Sequence, residues 1–224
     1  MRFRCVSAVV IAFALFFAAH SAGAQNLLPD PTFSAGVSAW RTDSSLGPLV
    51  PMVLERQSSA GSDGAAGFAR LTSVNGGPGS FAASVCVPVD AGRAYSWGGY
   101  LRFVAPPIAV VSFRVVFREA VGCNGQVVPP HTSTLALYGS DVNTWQFFPG
   151  ADVVAPPGAL SATFEVYMGC GPCGPFSVDF DNVYFGPRGT GPPAAVAVPT
   201  MSEAAICVFA FLLALAGAWR VAKA

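Results

Sequence analysis

The sequence predicts an all-β chain, a β-sandwich of jelly-roll type, flanked by an N-terminal signal peptide and a C-terminal transmembrane helix. Three observations carry that prediction. Several short runs alternate apolar and polar residues with period two, the pattern of strands buried on one face. Clusters rich in Gly, Pro and Asn separate these runs, and Gly and Pro alone number 24 and 19. No segment between the two ends carries helical periodicity. About nine or ten short strands joined by such turns build a two-layer sandwich.

Residues 1–24 come first. Arg2 and Arg4 form a positive n-region, Val6 to Ala19 is apolar but for Ser7, and Ala22-Gly23-Ala24 is a small-residue cleavage site. This predicts a secretory signal peptide that engages the Sec translocon and is removed by signal peptidase near Ala24/Gln25. An N-terminal membrane anchor is the alternative. The short apolar run and the cleavage site favour removal.

Residues 25–186 form one domain, long enough to bury a proper core. Strands are expected at 50–56, 67–72, 81–87, 95–103, 111–118, 134–137, 145–148, 162–168 and 177–185. Three of them alternate most clearly. Tyr95, Trp97, Leu101 and Phe103 face one way, opposite Ser96, Gly98, Tyr100 and Arg102. Val111, Phe113, Val115 and Phe117 oppose Ser112, Arg114, Val116 and Arg118. Ala162, Phe164, Val166 and Met168 oppose Thr163, Glu165 and Tyr167. Trp40, Trp97 and Trp145 read as core residues.

A Gly/Pro-rich linker occupies 187–197 and cannot hold a helix or a central strand. Residues 204–219 are then uncharged, with Arg220 and Lys223 behind them. Such a helix spans about 24 Å, at the thin edge of a bilayer core of about 30 Å. The basic end belongs in the cytoplasm, which places the domain outside.

Charge is scarce. Only 11% of residues are charged, against about 25% in an ordinary globular chain. The two ends account for much of this apolar excess. Between Gln25 and Glu203 stand eight arginines, no lysine and twelve acidic residues, a net charge of −4. That balance excludes a nucleic-acid partner, which needs a basic patch, and a disordered chain.

Four cysteines fall in the exported part: Cys86, Cys123, Cys170 and Cys173. An even number in an oxidising compartment reads as two disulfides. Three connectivities can join them, and Cys86–Cys123 with Cys170–Cys173 is favoured. Cys170-Gly171-Pro172-Cys173 spells a thioredoxin-type redox motif, but a β-rich segment follows it where a helix N-terminus would lower the thiol pKa. A structural bridge is the better reading. His131 is the domain's single histidine and sits in a Pro-rich loop, so it reads as a solvated loop residue; neither a His-based triad nor a zinc site has its partners.

Two resemblances follow. Val198-Pro199-Thr200-Met201-Ser202-Glu203, then the apolar helix and basic tail, resembles the IPTL-CTERM protein-sorting tail of exported Gram-negative bacterial proteins. Pro199, Thr200, Ser202 and Glu203 carry the motif, while Ala204-Ala205 stand where that family has Trp-Gly. The resemblance covers residues 198–224 and implies processing by an exosortase-type membrane enzyme. An ordinary C-terminal anchor is the alternative. The second resemblance has three parts: Asn26-Leu27-Leu28-Pro29-Asp30-Pro31-Thr32-Phe33 with Val37-Ser38-Ala39-Trp40; Trp145-Gln146-Phe147-Phe148 leading to Ala155-Pro156-Pro157-Gly158-Ala159; and Val178-Asp179-Phe180-Asp181-Asn182-Val183. In that order they are similar to carbohydrate-binding-module jelly rolls with a galactose-binding-like fold. The family often holds a structural calcium between its opening and closing segments. Asp181 matches the ligating aspartate, Asp30 is a second candidate, and Ser34 replaces the family's opening Glu.

The outward-facing set Tyr100, Arg102, Arg114, Arg118, Glu165 and Tyr167 offers aromatic rings and planar polar groups of the kind that hold sugars. If their strands share a sheet they make one binding face. Otherwise they are a solvated surface with cross-strand pairs such as Arg114–Glu165. No motif marks the carboxylate pair that a glycosidase needs. The expectation is therefore an exported, non-catalytic binding module at the cell envelope, cell surface or extracellular matrix, engaging glycans or other envelope polymers and held transiently or permanently by its C-terminal helix. A structural matrix protein without a small ligand is the alternative.

Overall fold

The computed structural model describes residues 25–44, 52–74, 79–104, 110–136, 141–170 and 174–192. The expected signal peptide, sorting motif and C-terminal helix lie outside these residues, as does the Cys170–Cys173 bridge. No helix among the described residues is long and apolar enough to cross a membrane.

The described residues form an all-β sandwich. Its strands are β1 (Arg41–Ser44), β2 (Met52–Ala60), β3 (Ala66–Ser73), β4 (Gly79–Pro88), β5 (Ala94–Phe103), β6 (Val110–Arg118), β7 (Thr132–Ala136), β8 (Gln146–Pro149), β9 (Val153–Val154), β10 (Ser161–Cys170) and β11 (Phe176–Pro187). One sheet runs β1-β4-β10-β6-β7; the other runs β2-β3-β11-β5-β8, with β9 also paired to β5. The pairings within both sheets are antiparallel. Only β2–β3 and β6–β7 are neighbours in both sequence and sheet. All other contacts join distant parts of the chain, so the fold depends on long-range pairing.

The alternation read from sequence sets the core. Tyr95, Trp97, Leu101 and Phe103 from one sheet meet Val111, Phe113, Val115, Phe117, Phe164 and Val166 from the other. Each fully buried ring or branched side chain contributes about 1.5–3 kcal/mol. Trp97 illustrates how tight this packing is: its Nε1 donates to the Ala151 carbonyl at 2.8 Å, and a Cβ at Gly150 would fall inside its indole. Position 150 is thereby restricted to glycine.

The opening and closing motifs meet directly. Asn26 Nδ2 donates to the Val183 carbonyl at 2.9 Å, and Phe185 N donates to Asn26 Oδ1 at 3.0 Å. Leu27 N donates to the Phe185 carbonyl at 2.8 Å, and Val183 N to the Pro31 carbonyl at 3.1 Å. Phe33 meets Phe180 edge-on, with centroids 5.1 Å apart. β11 changes parity here. Val178 and Phe180 point into the core before a bulge between Asp181 and Tyr184, and Val183 and Phe185 point inward after it. Asn182 takes φ +47° at the bulge, a conformation asparagine tolerates better than most residues.

Two strands were not anticipated. β1 reads Arg-Thr-Asp-Ser and lacks apolar alternation because it is an edge strand, hydrogen-bonded on one side to β4. β9 has two residues and carries no pattern.

Candidate functional site

Strand parity gave the outward direction of the six candidate residues but not their sheet. β6 and β10 are direct neighbours, whereas β5 lies in the other sheet. Arg114, Arg118, Glu165 and Tyr167 therefore share the outer face of the first sheet. Tyr100 and Arg102 belong to the outer face of the second. The condition for a single binding face, one shared sheet, is not met: the six residues divide between two faces, separated by the thickness of the core, about 10 Å.

On the first sheet the register builds rows of side chains. Arg41 opposes Ser84, Ser84 opposes Glu165, and Glu165 opposes Arg114. Arg114 grips the Glu165 carboxylate, with Nε donating at 2.8 Å and a second nitrogen at 2.6 Å. Its guanidinium carbon lies 4.2 Å from the centre of the Tyr167 ring. The Tyr167 hydroxyl shares a 2.6 Å hydrogen bond with Ser80 Oγ. Tyr167 is thus fixed at both its ring and its hydroxyl while remaining half-buried.

Beside this cluster lies a cavity of about 370 Å³, lined by Arg41, Ser84, Arg118, Thr163, Glu165 and the Cys86–Cys123 disulfide among others. That volume is at the small end of ligand sites, which run about 300–1,000 Å³. The disulfide, with Cα atoms 5.9 Å apart, ties the 3-10 turn at Val121–Cys123 to β4. Ser161 reinforces the wall by donating to the Ala120 carbonyl at 2.6 Å and accepting from Cys123 N at 3.2 Å. Arg118 donates to the Gly125 carbonyl at 3.1 Å, while its buried Nε has no hydrogen-bond partner among the described residues. Arg41 is exposed. Arg41, Ser84 and Thr163 were missing from the sequence-derived candidates. Arg41 follows Trp40 of the opening motif, but its strand has no alternation to show which way it faces.

The second sheet's outer face uses its arginines differently. Asp179 is fully buried. Arg70 Nε and a terminal nitrogen donate to its two oxygens at 2.6 and 3.0 Å; Arg102 adds bonds of 3.0 and 2.8 Å. The bond to Asp179 raises the Arg70 pKa above its ordinary value. Arg102 lies against both Phe68 and Trp145, 4.6 and 4.4 Å from their ring centres, and the two rings meet each other edge-on at 5.4 Å. Trp145 therefore covers an ion cluster on the outer face, half-buried, and is not a core residue as its motif suggested; it precedes β8 and escapes the strand's parity. Trp40 and Trp97 are in the core. Tyr100 packs against Phe147 with centroids 5.0 Å apart, and Phe147 is 42% exposed.

The two candidate calcium ligands are engaged by hydrogen-bond donors. Asp30 accepts from Ser34 N and Oγ, Ala35 N and Gly36 N at 2.7–3.0 Å and so caps the opening loop. Asp181 accepts from Ser62 N at 2.7 Å, Ser62 Oγ at 3.0 Å and Asn182 N at 2.8 Å. Burial pushes its pKa up to about 6, against the lowering effect of those donors. Calcium takes about six to eight oxygen ligands. Among the described residues no cluster of three or more His, Cys, Asp or Glu could hold a metal. As arranged, with N–H and O–H donors aimed at both carboxylates, these residues do not fit the ion. His131 is exposed in its loop.

No protein-family model matches the chain, and no curated protein matches it. Solved structures share its fold. The enzymatically active domain of bacteriophage CBA120 tailspike protein 4 superposes with a TM-score of 0.56 at 14% identity, over 72% of this chain and 21% of that one. A carbohydrate-binding module of the β-sandwich superfamily, described as promiscuous in specificity, gives 0.53 at 11% identity over 74% of this chain and 63% of that one. The chain therefore spans about a fifth and about two thirds of these two proteins. The CBM22-1 xylan-binding domain of Paenibacillus barcinonensis Xyn10C gives 0.51 at 12% identity, over 75% of this chain and 98% of that one. At such identities the likeness establishes the fold: an all-β sandwich resembling the jelly rolls of carbohydrate-binding modules.

Proposed function

We propose that the chain is an exported, cell-surface binding module that engages glycans or other envelope polymers at the outer face of its first sheet. The observation that carries this reading is the cavity bearing Arg41, Arg118, Thr163 and Glu165 beside the immobilised Tyr167. A sugar ring stacks its C–H face on Tyr167. The Arg114–Glu165 pair supplies fixed donors and acceptors to the hydroxyls. Because these groups are already ordered, binding costs little further side-chain entropy. Binding without catalysis is the reading because, among the described residues, Glu165 is the only carboxylate lining the cavity, while glycoside hydrolysis needs two, about 5–9.5 Å apart.

The route to the surface is part of the same proposal. The Sec translocon and signal peptidase deliver the chain, the C-terminal helix holds it in the membrane, and an exosortase-type enzyme acts at the Pro199–Glu203 tail. The deciding experiment is a glycan array probed with the full-length protein and with Arg114→Gln. Binding that weakens about tenfold or more in the variant supports the reading, since a charge-assisted hydrogen bond contributes about 1.5–3 kcal/mol. Silence across the array, with the protein retained in the biofilm matrix, overturns it in favour of a structural surface protein.

A further inference from the structure

Resting on that reading, we infer that the first-sheet cavity selects glycans carrying a carboxylate, such as uronic acid residues, over neutral ones. The exported chain is acidic, with eight arginines against twelve acidic residues between Gln25 and Glu203. Its first-sheet face has the opposite balance. Arg41, Arg114 and Arg118 stand there against Glu165, with Asp43 in the neighbouring row by its register with Ala82. Arg114 neutralises Glu165. Arg41 and Arg118 are left lining the cavity, and among the described residues neither forms an ion pair.

Arg118 gives the sharper signal. One terminal nitrogen is spent on the Gly125 carbonyl, yet the buried Nε–H has no acceptor among the described residues. The guanidinium is thus pinned by one backbone bond beside the cavity it lines, with no counter-charge among the described residues and hydrogen-bonding capacity to spare. The acceptor that meets a guanidinium best is a planar carboxylate. The second sheet shows the same chemistry completed from within: Asp179 there takes four hydrogen bonds from Arg70 and Arg102. On the first sheet Arg41 and Arg118 line a cavity of about 370 Å³ whose Glu165 is already paired with Arg114, and a further carboxylate is left for the ligand to bring.

The test compares polygalacturonate, its fully methyl-esterified form, neutral xylan and dextran sulfate, using the full-length protein in mild detergent. Polygalacturonate is expected to bind at least tenfold tighter than its ester, and the preference should shrink as salt rises from 50 to 500 mM, by about the screening of one or two exposed charges. Arg118→Gln should erase most of the preference and leave xylan binding within about threefold. Arg41→Gln, on an exposed edge strand, is the second variant should Arg118→Gln unfold. Arg93→Gln, remote in the fold and paired with Asp90, should change nothing; a loss there would show that net charge alone attracts the polymer and would overturn the assignment. Equal affinity for polygalacturonate and its ester overturns this inference while xylan binding keeps the glycan reading. Dextran sulfate bound as tightly as polygalacturonate overturns the carboxylate in favour of charge density. No binding to any of the four polymers overturns both readings.

Discussion

The two outer faces of the sandwich use the same residue types to opposite ends. On the second sheet, Arg70 and Arg102 converge on the buried Asp179, and Phe68 and Trp145 close over Arg102. Asp179 and its two arginines are matched there, and that face is part of the fold's stability. On the first sheet, Arg114 and Glu165 pair, but Arg41 and Arg118 line the cavity beside them and, among the described residues, form no ion pair. An arginine on a strand is thus no sign of a binding site by itself. What separates the faces is whether the chain supplies the counter-charge.

Removing the wall of the first-sheet cavity has the largest expected effect. The Cys86–Cys123 bond closes a separation of 37 residues, for which chain entropy predicts a contribution of about 4 kcal/mol. The double variant Cys86→Ala/Cys123→Ala should lose about that much in urea unfolding, and should also weaken ligand binding because the Val121–Cys123 turn is freed. Unchanged binding in the folded double variant would mean that the cavity does not depend on this wall.

Next comes the second face. Asp179→Ala leaves two guanidiniums without their carboxylate. Breaking a buried pair costs about 3–5 kcal/mol. Arg70 and Arg102 keep 30% and 19% of their side-chain surface, so about 3 kcal/mol is expected. Glycan affinity at temperatures where the variant is folded should be unaffected. A loss of affinity without loss of stability would reverse the roles given to the two faces.

A smaller effect concerns the corner where opening and closing motifs meet. Asp181 has its pKa raised to about 6, above an unfolded value of about 3.9. Between those values the folded chain holds a proton that the unfolded chain has released. The contribution of Asp181 to stability is therefore complete below about pH 4 and lost as pH rises through about 6. Asp181→Asn should flatten the pH–stability curve in that window. At pH 7 a chelator should leave the melting temperature of the wild type unchanged; a drop of several degrees would put calcium on Asp181 and remove the reason for the raised pKa.

The sequence was most legible where period two could act. All nine expected strands are present, and the inward faces of 95–103, 111–118 and 162–168 are buried as read. Parity says which way a side chain points but not which strand lies next to it. For that reason Arg102 looked like a companion of Arg114, although β5 pairs with β11 and β8 while β6 pairs with β10 and β7. The bulge at Asn182 left a trace that was not read: residues 176–181 alternate strictly, and the inward apolar set then passes from even positions to Val183 and Phe185. Asp179 illustrates a different limit. Nothing in its local sequence marks it as buried, yet two arginines from neighbouring strands let it be buried completely, and those partners are 109 and 77 residues away.

The central claim is that the first-sheet face binds and the second-sheet face does not. Tyr167 and Tyr100 are the matched probes, half-buried tyrosines on the outer surfaces of the two sheets. Titration calorimetry of the full-length wild type, Tyr167→Ala and Tyr100→Ala against the best glycan from the array tests it directly. The predicted result is a loss of about tenfold or more in Tyr167→Ala with Tyr100→Ala unchanged within about twofold. Loss in Tyr100→Ala with Tyr167→Ala unaffected would contradict the account and move the site to the opposite side of the sandwich.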